Sequence, residues 1–128
     1  MSNSIVKEWI TRAQRDHDVA LKLLTENLHL EIALSHIQQA IEKFLKGYLI
    51  FNGWKLRKIH DLELLLTEAV HFDTEFGNYL ELGRKLTAIY YNERYPPGPI
   101  STFSQKEIND MFEKSNEIIN HINLTLKF

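Results

Sequence analysis

The chain has 128 residues, with 15 Lys and Arg against 17 Asp and Glu, a formal charge of −2. That length fits one domain, and the near-neutral balance argues against a general polyanion binder, which is usually strongly basic. The absence of cysteine excludes a disulfide framework and thiolate metal sites, and the scarcity of Gly (5) and Pro (3) disfavours turn-rich all-β folds.

No apolar run approaches the ~18 residues of a membrane span. The segment after Met1 soon turns charged, with Lys7 and Glu8, and lacks the apolar core of a signal peptide. A cytoplasmic protein without a membrane segment is expected.

In chain order, the spacing predicts five helices and no strand. The first runs from about Ser4 to Thr25, with Trp9, Ala13, Asp16, Ala20, Leu23 and Leu24 recurring at helical intervals. Asp16 interrupts that face and needs a partner if it is buried. The second runs from about Leu30 to Phe51, where Ala33, Ile37, Ala40, Ile41, Phe44, Leu45 and Tyr48 make one wide apolar stripe. Asn52-Gly53 supplies a stop, because glycine tolerates the left-handed conformation that ends helices.

After a connection from Trp54 to Ile59, Asp61 is a natural N-cap for a short third helix ending near Val70. A fourth is expected from about Thr74 to Tyr91. The stretch Asn92 to Thr102, with prolines at 96, 97 and 99, is read as a loop. Ser104 with Glu107 forms a capping box that opens the last helix. Long helices with short connections pack as antiparallel neighbours, so the expected fold is all-α: an up-and-down four-helix bundle with one additional short helix, in a single domain over residues 1–128.

Charge is segregated. Lys43 to His60 holds five cations (Lys43, Lys46, Lys55, Arg57, Lys58) and no acid, whereas Asp61 to Glu81 holds six acids and no Lys or Arg. Such a local field selects a phosphate or a charged partner, or it is merely two solvated faces. His36, Gln39, Lys43 and Lys46 form a polar stripe beside the apolar one on the second helix. As a groove, that stripe offers lysines as point charges for phosphate and an amide donor; as a solvated face it does nothing further. In Tyr90-Tyr91-Asn92-Glu93-Arg94-Tyr95-Pro96, tyrosines can stack on bases and Arg94 can fork onto a phosphate. The structural alternative has Arg94 paired with an acid such as Asp16 and the tyrosines sealing the bundle end. There is no phosphate-cradling glycine loop, no serine nucleophile elbow and no dense metal-ligand spacing.

Taken together, Gln38-Gln39-Ala40-Ile41-Glu42-Lys43-Phe44-Leu45-Lys46, then Gly53, then His60-Asp61-Leu62, then Arg94-Tyr95-Pro96 resemble the HEPN family (higher eukaryotes and prokaryotes nucleotide-binding). Trp9 and Asp16 match the family's first helix, and the likeness covers nearly the whole chain in order. The resemblance implies an all-α bundle that often dimerises, and binding of nucleotide or RNA. It also implies a minimal nucleotidyltransferase subunit as partner, in toxin–antitoxin or related systems. Some members are metal-independent ribonucleases with an Arg-x4–6-His motif late in the fold. Here no His follows Arg84 or Arg94 at that spacing. The one match, Arg12 to His17, puts the two side chains roughly 140° apart around the first helix.

The expected function is therefore a binding module without catalytic residues, cofactor or metal. Lys43, Lys46, Arg94, Tyr90, Tyr91, His36 and Gln39 are its candidate ligand contacts for a nucleotide or RNA phosphate, and it is expected to form a homodimer. A ribonuclease with a non-standard site and a purely structural adaptor are the alternatives. The binding reading needs the cationic side of the second helix and Arg94 to meet at one pocket.

Overall fold

The computed structural model describes residues 3–95 and 103–127. Its helices are α1 (Asn3–Thr25), α2 (Leu30–Phe51), α3 (Leu62–Val70), a 3₁₀ segment (Thr74–Tyr79), α4 (Leu80–Arg94) and α5 (Gln105–Leu126). Among the described residues there is no strand, and no helix is long and apolar enough to cross a membrane.

α2 is the central rod and touches α1, α3, α4 and α5. Its apolar stripe, centred on Leu34, Ile37, Ile41, Phe44, Leu45 and Leu49, is fully enclosed. Being surrounded on several sides, α2 also buries polar positions: Gln38, Glu42 and Lys46 are inside the fold. α1 makes the most extensive pairing with α2. It buries Val6, Ala13 and Ala20, seven residues apart, and the two alanines allow a close approach. The turn between them holds Asn27 (φ 52°) and His29 (φ 47°) in left-handed conformations, which Asn and His adopt more readily than most residues.

Gly53 (φ 91°) ends α2 as its spacing predicts. Asp61 caps α3 by accepting from the backbone N–H groups of Glu63 (2.8 Å) and Leu64 (3.3 Å). The Ser104–Glu107 capping box opens α5. α1, α2, α4 and α5 form the bundle, and α3 packs against α2 and α4.

Two boundaries differ from the sequence reading. The segment expected as one helix from Thr74 is a 3₁₀ segment followed by α4, because Asp73 caps at Glu75 and Phe76 turns into the core. α4 also runs past Tyr91, through Asn92, Glu93 and Arg94. A proline at 96 disfavours helical geometry only at the residue before it, and Tyr95 is the residue that leaves the helix (φ −124°, ψ 89°). The rest of the predicted loop, residues 96–102, lies outside the described residues.

Candidate functional site

Two acids organise the polar side of α2. Glu42 is the deeper one, and its neighbours follow from helical spacing. Gln38, Gln39 and Lys46 lie one turn away along the same face. Lys46 Nζ donates to Glu42 Oε2 at 3.0 Å, and His60 Nδ1 meets the same oxygen at 3.0 Å. Gln39 and Gln38 aim amide N–H groups at Oε1 from 3.3 and 3.4 Å. Gln38 also donates to the His60 carbonyl at 2.9 Å, fixing the backbone that carries the imidazole. The Glu42 and Lys46 side chains are 5% and 4% exposed, whereas that of His60 is 55% exposed. A buried charge is stable only when paired and hydrogen-bonded, and both carboxylate oxygens of Glu42 are engaged. Lys46 Nζ also stands 5.7 Å from the centre of the Trp9 ring, an attractive placement for a cation over an aromatic face.

Asp16 is the second acid. It accepts from Lys43 Nζ at 2.6 Å and meets His36 Nδ1 at 3.0 Å, so it bridges two side chains that lie two turns apart on α2. The partner that a buried Asp16 requires is thus Lys43 with His36, not Arg94.

Beside these networks is a groove of about 560 Å³. α1 contributes Ile5, Glu8, Trp9 and Arg12; α2 contributes Gln39, Glu42, Lys43 and Lys46; the α2–α3 connection contributes Leu56, Arg57, Lys58 and His60. Trp54 and Ile59 pack against the core at either end of the connection, which leaves Lys55 to Lys58 exposed between two anchors. The groove has an apolar shelf of Ile5, Trp9 and Leu56 facing cationic side chains. It can take a flat or apolar body that carries an anion.

The α4 terminus is a separate cluster. Arg94 lies over the Tyr90 ring at 5.0 Å, Tyr90 meets Tyr91 edge-on at 5.5 Å, and Tyr91 stacks on Tyr95 at 6.0 Å. Tyr91 and Tyr95 are exposed. Burial holds the Tyr90 hydroxyl above the ordinary phenol range; Arg94 pulls it down, and the Glu42 carboxylate pushes it up. The field of Glu42 therefore reaches Tyr90.

Of the predicted ligand contacts, Gln39, Lys43 and Lys46 line the groove. His36 lies beside them on Asp16, and Tyr90, Tyr91 and Arg94 line the α4 end rather than the groove, so the single pocket joining Arg94 to the α2 lysines that the sequence reading required is not formed, and a binding role has to rest on the groove alone. Trp9, Glu42, Arg57, Lys58 and His60 also line the groove, although sequence reasoning did not select them. Arg57, Lys58 and His60 lay inside the acid-free stretch and had that signal. Glu42 stood in the motif that carries the family resemblance, but nothing in the sequence marked it as buried, because a Glu–Lys pair one turn apart reads as an exposed helix pair. Among the described residues no cluster of His, Asp and Glu is arranged to hold a metal ion.

An all-α bundle with α2 at its centre and a mixed apolar and cationic groove against α1 defines the class. The family model of the HEPN domain matches residues 6–124, and the chain belongs to the HEPN family, whose domains are nucleotide-binding or ribonuclease-type helical modules. The fold is similar to the crystal structure of an archaeal HEPN homologue, at 25% sequence identity and a TM-score of 0.72, with 94% of this chain and 96% of the other covered. No curated protein matches the sequence significantly.

Proposed function

We propose that this protein is a nucleotide- or RNA-phosphate-binding HEPN module that acts by binding rather than by catalysis. The observation that carries the reading is the groove. Trp9, Ile5 and Leu56 offer a surface for a base, and of the cations that line it, Lys43, Lys46 and Arg57 are paired with acids whereas Lys58 brings an unbalanced positive charge. Gln39 adds an amide at the floor, and His36 holds Asp16 in place beside Lys43. Arg94, Tyr90 and Tyr91 would extend contact to a longer ligand, with the exposed Tyr91–Tyr95 stack as a platform for a further base.

The family likeness supports a homodimer with a minimal nucleotidyltransferase subunit as partner. Sedimentation of the isolated protein and copurification with that subunit test the assembly. Calorimetric titration with mononucleotides and short RNA tests the ligand. Binding in the micromolar to millimolar range is expected, and the absence of heat at millimolar ligand, with and without the partner, would refute the reading. Incubation with total RNA should leave it intact; cleavage abolished by Arg94→Ala would favour the ribonuclease reading instead.

A further inference from the structure

We infer that the anion in this groove is received by Lys58 and His60, not by the lysines of α2, and that its binding takes up one proton on His60. The inference rests on the groove being a nucleotide site, and it names the ligand class as one bearing a terminal phosphate dianion.

Most of the cations that line the groove are already paired with acids. Lys43 Nζ lies 2.6 Å from Asp16, and Lys46 Nζ lies 3.0 Å from Glu42. On α1, Arg12 pairs with Glu8 at 2.8 Å; on the connection, Arg57 reaches Glu68 at 3.5 Å. These four pairs leave the groove lining close to internal neutrality. To use Lys46, a ligand must break a buried pair and strand Glu42. Among the described residues, Lys58 is the lining cation that has no acid partner. It sits at the centre of a tight turn, with the Ile59 N–H donating to the Arg57 carbonyl at 2.9 Å.

The second receptor is His60, and its chemistry follows from its partner. Glu42 offers the same oxygen, Oε2, to the Lys46 ammonium and to His60, and an oxygen that takes the ammonium's hydrogen acts as an acceptor. The Nδ1 of His60 must then carry the hydrogen, and in the neutral ring Nε2 presents a lone pair. A lone pair repels a phosphate oxygen. The imidazolium instead donates at both nitrogens, to Glu42 through Nδ1 and to the ligand through Nε2. Anion binding at Nε2 therefore requires a second proton on the ring.

The charges facing His60 are consistent with this. From α2 it meets Glu42, with Lys46 and Lys43 beyond; from α1 come Glu8 and Arg12; its own segment adds Arg57, Lys58 and Asp61, the last engaged by the Glu63 and Leu64 N–H groups at the start of α3. From α4, Tyr90 is coupled to the same carboxylate. The other lining cations are balanced pairwise, and Asp61 is turned to the positive N-terminal end of α3, so the receptor in its binding form presents two positive groups, Lys58 and the imidazolium. These match a terminal phosphate monoester dianion better than the single charge of an internal diester.

The test is calorimetric titration of the intact protein with adenosine 5′-monophosphate, adenylyl-3′,5′-adenosine and inorganic sulfate. Each is run in buffers of different ionisation enthalpy between about pH 7 and pH 8.5, where sulfate does not itself titrate. The expected results are proton uptake that rises toward one per site, and affinity for the monophosphate that falls about tenfold per pH unit on the alkaline side. The diester-only ligand should bind at least about tenfold more weakly. Lys58→Ala should weaken the monophosphate about tenfold or more, and His60→Gln should abolish the proton uptake. Thermal unfolding checks both variants; Lys58 is exposed on the connection, so its variant keeps the test valid if His60→Gln does not fold. Monophosphate binding without proton uptake, equal affinity for the diester, or an unchanged Lys58→Ala overturns the inference while leaving the nucleotide reading intact. Sulfate binding with proton uptake but no nucleotide binding upholds the receptor and overturns the nucleotide reading. No binding of any of the three overturns both.

Discussion

At the scale of single residues, Glu42 shows how a position can look ordinary in sequence and be decisive in space. It lies one turn before Lys46, the arrangement of a surface pair contributing a few tenths of a kcal/mol. Here the two side chains are 5% and 4% exposed, so the same pair is an interior one. Glu42→Ala leaves an ammonium enclosed without its acid and should cost about 3–5 kcal/mol in urea unfolding. The double change Glu42→Leu with Lys46→Met should recover most of that loss, because apolar groups of similar volume need no partner. If the single variant proves as stable as wild type, the enclosure of this pair is wrong.

At the scale of elements, caps decide where helices begin, and they are the most local devices in the chain. Asp61→Ala removes the acceptor for two backbone N–H groups at the start of α3 and should cost about 1 kcal/mol. His60 directly precedes this cap on the α2–α3 connection, so the same change should also weaken ligand binding; paired unfolding and titration measurements check both effects. Asp73 caps the 3₁₀ segment and reaches α5 as well. Its carboxylate accepts from the Glu75 N–H at 3.0 Å and pairs with His121 at 2.7 Å. The Glu75 hydrogen bond, and then His121, hold this carboxyl below the ordinary Asp value. A depressed carboxyl stabilises the fold above the ordinary Asp value of about 3.9, and that contribution disappears as pH falls through the lower folded value. The stability gap between wild type and Asp73→Ala should therefore narrow as pH falls below about pH 4. A denaturation midpoint series against pH measures it.

At the scale of the whole molecule, two helix crossings distinguish two glycines. A Cβ on Gly83 would lie 2.8 Å from Leu66 Cδ1 and 3.2 Å from the Glu63 backbone nitrogen, so α4 can cross α3 here only without a side chain. A Cβ on Gly47 would chiefly meet the end of the Ile10 side chain, 2.9 Å away, which can turn aside. Gly83→Ala should destabilise by about 1–3 kcal/mol through overpacking. Gly47→Ala should be near neutral, since the gain in helix propensity of about 1 kcal/mol offsets a small rotamer shift. Thermal or urea unfolding of the two variants side by side checks the contrast.

Periodicity, caps and breakers are local, and so the helices, their order and the all-α class could be read from the residues alone. Leu30 to Phe51 repeats its apolar residues every three or four positions, Asn52-Gly53 ends it, and Ser104 with Glu107 opens α5; each signal lies within a few residues of the boundary it sets. The polar stripe with Gln39, Lys43 and Lys46 was likewise visible, because one helix face is a matter of spacing. What spacing cannot state is which distant group lies opposite. Asp16 meets Lys43 across 27 positions, and His60 meets Glu42 across 18. With the Lys46–Glu42 pair, these contacts turn two lysines that look available for phosphate into internal partners, and they leave Lys58 as the groove-lining cation without an acid. They also put Arg94 on Tyr90 at the α4 end, away from the groove walls. Charge is a property of the residue, whereas its availability depends on the neighbour that packing supplies, and only the assembled bundle decides that.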